Sequence, residues 1–180
     1  MKLFKYEGYK ITISEEALLL KPFKAIWKRD KSLNKEKALS ELGFIYFFCD
    51  IRSDYQYIVD EEARMASIKE GEGMPEDWTP DSVVLEAMQF YSTFKSTSAL
   101  LLEDTRYAVE KLRKLLREID LTKTDNNGKP IYTLNTITAT IKQVPSLVKD
   151  LDEAERSIAK EIAQSDKVRG AQSKSIYEDL

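Results

Sequence analysis

Histidine is missing altogether from the 180 residues. With it go the commonest general base, the usual activator of a nucleophile and the commonest transition-metal ligand. Cysteine is nearly missing. Cys49 stands alone, so no disulfide can form within the chain, and its apolar surroundings suit a small core residue better than an activated thiolate. Glycine and proline are scarce, at 6 and 5 residues, which with 42% hydrophobic and 33% charged side chains excludes a fibrous repeat or a disordered chain. No apolar run approaches the ~20 residues that cross a bilayer; the longest lies between Glu41 and Asp50. Met1–Lys10 lacks the basic, apolar and small-residue succession of a secretory signal, so synthesis in the cytoplasm is expected.

Motifs that hold phosphate or metal are also wanting. Gly71-Glu72-Gly73 has neither a third glycine nor a preceding strand and reads as a helix stop. Asp125-Asn126-Asn127-Gly128 places its glycine too early for a calcium loop, and no glutamate follows at the twelfth position. Neighbouring carboxylates such as Asp60, Glu61 and Glu62 diverge on a helix and read as a solvated face. Catalytic, cofactor-binding and metal-binding residues are therefore assigned to none, and the chain is expected not to be an enzyme.

What is present is helical periodicity. The sequence predicts a mainly α protein: a helical bundle with one long helix, a short N-terminal β arm or hairpin, and an extended C-terminal tail. Residues 1–164 form the helical domain, 1–13 within them the β arm, and 165–180 the tail. Leu3–Ile13 alternates apolar and polar residues around Gly8, as a strand pair does, and must lean on helices or on a partner's sheet. Ser14 caps a helix that Pro22 divides in two before Arg29. Ser32 or Asn34 opens the next, with Leu39, Leu42, Ile45, Tyr46 and Cys49 on one face and Phe44, Phe47 and Phe48 on the others, which puts it at the centre of the core. A third helix is predicted from Ser53 through Ile68 to Gly71.

Thr79, Pro80 and Asp81 then start a helix whose apolar positions run from Val84 through Tyr91, Leu101, Ala108, Leu112 and Leu115 to Ile119 at spacings of three and four. Unbroken, it would span ~55 Å. Ser96-Thr97-Ser98 is its weak point, and its stripe is either the core of a bundle or a seam against a second copy. Asn127-Gly128 marks a tight reversal, Thr133–Val144 suits a helix better than a strand, and Pro145 starts a last helix through Leu147, Leu151, Ala154, Ile158 and Ile162.

Net charge is −3 but unevenly spread: Met1–Lys37 holds ten Lys/Arg against five Asp/Glu, while Asp50–Glu86 holds three against eleven. The overall sign disfavours non-specific nucleic acid, and the asymmetry suits either an ordinary solvated surface or charge-complementary neighbours.

Over Glu16–Arg29, Leu39–Tyr57 and Met74–Ile119 the chain resembles the small helical neck proteins of tailed bacteriophages, the head-to-tail connector or portal-adaptor rings, in particular those of crAss-like phages. The resemblance implies a structural virion protein located in the neck or tail region, a ring of commonly about twelve subunits stacked on the portal or on neighbouring rings. It also implies a C-terminal tail docked on another subunit. The tail's sizeable apolar groups, Val168, Ile176, Tyr177 and Leu180, together with Arg169, are the partner-binding residues expected from the sequence itself. Protein partners are expected, with no specific nucleic acid and no membrane. The alternative is a non-catalytic cytosolic helical adaptor or regulator acting through protein contacts.

Overall fold

The computed structural model describes residues 3–7 and 10–168. The N-terminal arm is a hairpin, β1 (Phe4–Glu7) antiparallel to β2 (Lys10–Ile13), in the register Phe4 with Ile13 and Tyr6 with Ile11. It leans on helices. The Phe4 ring lies 5.4 Å from Phe23 and 5.5 Å from Tyr91, and a Cβ on Gly43 would come within 3.3 Å of Ile11 Cδ1, so the arm packs closely against the helix that carries Gly43.

Seven α-helices follow among the described residues, and they make the chain mainly helical. Ser14 accepts the Ala17 N–H and opens α1 (Glu15–Leu19); Leu20 breaks the chain and Pro22 sits in the first turn of α2 (Lys21–Arg29). The two-piece expectation holds. The next start differs from expectation: neither Ser32 nor Asn34 caps α3 (Glu36–Cys49). Lys35 precedes it in the left-handed region, and the cap is supplied from a distance by Asp30, whose carboxylate accepts the Ala38 and Ser32 N–H groups at 2.9 and 2.8 Å. Those bonds hold the Asp30 carboxyl down at about 2.

Helix α3 is central, as its composition predicts, with every residue from Glu41 to Phe47 buried. The core built round it joins Phe4, Phe23, Ile26, Leu42, Phe44, Ile45, Ile68, Val84, Ala87 and Tyr91. After α3 the predicted third helix is instead two elements. Ser53 starts only a single 3-10 turn, Asp54–Tyr57, and α4 (Glu61–Gly71) begins afresh from Asp60, which accepts the Ala63 N–H. The Ser53 hydroxyl caps that turn by accepting the Tyr55 N–H at 3.2 Å and donates to the Phe47 carbonyl at 2.7 Å.

The predicted long helix over 80–119 is likewise divided. Helix α5 (Ser82–Ser92) is capped by Asp81 rather than Thr79, α6 (Thr97–Glu118) by Ser96, and the chain between them turns. Hydroxyls cause the break. Thr93 Oγ1 donates to the Phe90 carbonyl at 2.7 Å and Ser96 Oγ accepts the Ala99 N–H, local bonds that compete with a continuous helix. Here the chain also divides into two compact units, at Lys95 and Ser96. The long helix of the protein is α7 (Leu134–Val168), which absorbs Pro145 instead of starting at it and runs past Ser165, where the tail was expected to begin. Thr133 accepts the Thr136 N–H at its start.

Two buried polar groups tie the first unit together. Glu41, on α3, receives Arg29 of α2 at 2.6 Å, and the same guanidinium reaches Asp81, the α5 cap, at 2.5 Å. Asp50, at the end of α3, accepts two bonds from the Arg52 side chain at 2.6 and 2.8 Å and one from the Tyr91 hydroxyl of α5. Burial alone would raise the Asp50 carboxyl, but the Arg52 guanidinium and the Tyr91 hydroxyl outweigh it and hold it below the ordinary range.

Removing either donor exposes what it neutralises. Arg29→Ala leaves Glu41 buried with only Lys37, 4.0 Å away, to offset its charge, and the expected loss in urea unfolding is about 3 kcal/mol. Tyr91→Phe is expected to cost about 1–3 kcal/mol at pH 7. Because the folded Asp50 pKa lies below its unfolded value, the ionised-state stabilisation is present above the unfolded pKa and fades as pH falls through the folded one. The Tyr91→Phe penalty should therefore shrink as unfolding is repeated at successively lower pH; a penalty unchanged with pH would contradict the assignment.

Candidate functional site

The second unit is a helical hairpin: α6 and α7 run antiparallel, joined by a loop in which Gly128, at φ +76°, makes the reversal that Asn127-Gly128 predicts and Thr124 bridges Pro130. Facing α7 along α6 are Leu102, Thr105, Val109, Leu112 and Leu116, buried or half-buried. Facing α6 along α7 are Ile137, Thr140, Val144, Leu147, Leu151, Ala154 and Ile158. Both series alternate steps of three and four, the seam of a coiled coil. The cross-hairpin register is fixed by Arg106 with Glu155 at 2.8 Å and Ser96 with Glu161 at 3.1 Å.

That seam corrects the predicted stripe on α6. Leu101, Ala108 and Leu115, expected inside, are exposed, Leu101 at 60% and Leu115 at 41%; the residues one position later, Leu102, Val109 and Leu116, take the inner row. On α7 Leu134 and Ile141 are exposed at 70% and 54%, with Val148 at 47%. Each helix thus carries a second apolar row at a spacing of seven, 101–108–115 and 134–141–148. Spacing of seven keeps a row on one side of a helix over two heptads.

The two rows lie on opposite faces of the hairpin. On α6 the outer row stands one residue before the inner positions Leu102, Val109 and Leu116; on α7 it stands one residue after the inner positions Thr140 and Leu147. In an antiparallel pair these flanking positions fall on different sides of the seam. The next member of the α7 series is Glu155, and its ion pair with Arg106, one residue after the inner Thr105, confirms which side that row occupies. Isolated exposed leucines are ordinary, but rows of them on both faces of a two-helix unit are not.

Other clusters are occupied by structure. Every bond from Arg52 and Tyr91 to Asp50 closes within the core, and the Tyr91 hydroxyl, pushed up by burial and by Asp50, stays protonated. Among the described residues no group of three His, Cys, Asp or Glu side chains is placed to hold a metal, and no helix is long and apolar enough to cross a membrane. Of the partner-binding residues expected from the sequence, Arg169, Ile176, Tyr177 and Leu180 lie outside the described residues, as does the side chain of Val168, whose backbone ends α7. In the sequence the α6 stripe takes Leu101, Ala108 and Leu115 in place of Leu102, Val109 and Leu116, which conceals the exposed row. No protein-family model matches the chain, and neither does any curated protein or solved structure.

Inner and outer rows should respond differently to substitution. Leu102→Ala is expected to lower unfolding free energy by about 2–3 kcal/mol, whereas Ile141→Ser should stay within about 0.5 kcal/mol of the parent in dilute solution. Equal losses at the two positions in chemical denaturation would show that the outer row is covered within the chain.

Proposed function

We propose that the chain is a non-catalytic structural component of a tailed-bacteriophage virion, a ring-forming connector or adaptor between portal and tail. The observation that carries this reading is the α6–α7 hairpin, which leaves apolar rows uncovered on both of its faces. A chain that works alone gains nothing by exposing them, and one built between neighbours needs two such surfaces, one for each side. The absence of histidine and the closed hydrogen bonding of Asp50 favour the same reading over a catalytic one. So does the resemblance of Glu16–Arg29, Leu39–Tyr57 and Met74–Ile119 to neck proteins.

The test is the composition of purified particles made by a phage that encodes the chain. Quantitative mass spectrometry is expected to find it in a fixed copy number, about twelve for a portal-matched ring. Particle imaging should place it at the neck. Abundant chain in infected cells with none in particles would overturn the virion role and leave the alternative of a cytosolic adaptor.

A further inference from the structure

We infer that neighbouring copies meet through unlike faces of this hairpin, the Leu101–Ala108–Leu115 row of one copy against the Leu134–Ile141–Val148 row of the next. The inference rests on the reading of the chain as a self-assembling component and names the surface by which it would assemble. A second copy is the occupant because the two rows match each other. Each places three apolar side chains at a spacing of seven over fourteen residues, ~21 Å of helix. Against each other they form a sparser seam than the one that joins α6 to α7, with one apolar side chain per heptad from each helix.

Their heights agree as well. With Ser96 opposite Glu161 and Arg106 opposite Glu155, Ala108 and Leu115 stand level with Val148 and Ile141 to within about a turn of helix. A neighbour reached by rotation, with no shift along the helices, therefore sets Ala108 and Leu115 against Val148 and Ile141, with Leu101 and Leu134 at the two ends of the contact. Contacts of this kind form a ring where the rotation per step closes, whereas a shift at each step would generate an open helix.

The charges beside the rows follow the same register. Flanking the α6 row are Asp104, Lys111 and Glu118; beside the α7 row are Lys142, Lys149 and Arg156, with Asp152 also on that side and 3.9 Å from Arg156, all of them exposed. At equal height Asp104 meets Arg156 and Glu118 meets Lys142, two opposite pairs. The one like pair, Lys111 with Lys149, is relieved within each helix: Lys111 lies 5.3 Å over the Tyr107 ring and Lys149 lies 3.6 Å from Glu153. Joining like faces would instead set Lys142, Lys149 and Arg156 against themselves. The contact is also small. Three side chains a face fall short of the ~800 Å² per partner of a stable pair, so a single contact is weak and closure of the ring supplies the persistence.

Cross-linking of the full-length chain distinguishes these arrangements. Leu115→Cys and Ile141→Cys are made as separate proteins, with the parent, whose own Cys49 is buried, as the control. Mixed and oxidised at high concentration, the two should give the 115-to-141 product as the dominant disulfide dimer, and neither alone should dimerise efficiently. Charge reversal adds a second reading: Lys142→Glu in the Ile141→Cys protein should reduce the yield, and Glu118→Lys in the Leu115→Cys protein should restore it. Dominant 115-to-115 or 141-to-141 dimers would replace the inference with a two-fold contact. Absence of any cross-link would remove self-contact through these rows. In either case particle composition still decides the virion role separately, because a ring held by other surfaces would remain in the particle.

Discussion

From Glu41 onward helix α3 has no face open to water, and the first unit is organised by that constraint. From Glu41 to Phe47 nothing in it reaches water, so it must be enclosed on all sides. Helices α2, α4 and α5 and the N-terminal hairpin supply the enclosure. The one charge on the buried stretch, Glu41, then dictates a partner, and Arg29 serves as that partner while also gripping Asp81. A single guanidinium thus links the end of α2, the middle of α3 and the start of α5. The same logic recurs at Asp50, where the end of α3 is fastened to α5 through Tyr91.

The second unit obeys a different economy. Two helices side by side bury one stripe each, and apart from Ala99, Leu102 and Ile158 its apolar side chains remain partly or largely open. A two-helix unit has no third layer to cover its flanks. What would be a deficiency in a solitary domain is consistent with a component whose remaining layer comes from its neighbours.

How much of this the sequence announces depends on whether the deciding bonds are local. The arm, the division at Pro22, the central place of α3 and the Asn127-Gly128 reversal all follow from nearest-neighbour chemistry, and the structure bears them out. The cap of α3 does not, because Asp30 is eight residues from the N–H it accepts. Nor does the division at 93–96 follow from the apolar period alone, which continues across it; the end of α5 is set by the Thr93 hydroxyl and by tightened backbone bonds from Thr93, Phe94 and Lys95. On α6 the sequence is ambiguous for a physical reason: Leu101 and Leu102, like Ala108 and Val109 or Leu115 and Leu116, offer two adjacent apolar rows of equal quality. Periodicity identifies a stripe there but not which edge of it faces α7. Pro145 misleads in the opposite direction: it lies inside α7, where a proline ordinarily begins or ends a helix.

Apolar rows on opposite faces give the hairpin a direction, and direction has a consequence for stoichiometry. When unlike faces join, every incomplete row of copies carries two different loose ends, so growth at one end and growth at the other involve different surfaces of the incoming molecule. A copy spoiled on one face alone would still add to a growing row through its sound face and then prevent the next addition. Such a copy acts as a terminator, poisoning assembly in proportion to its share of the pool, whereas a copy spoiled on both faces would merely be absent.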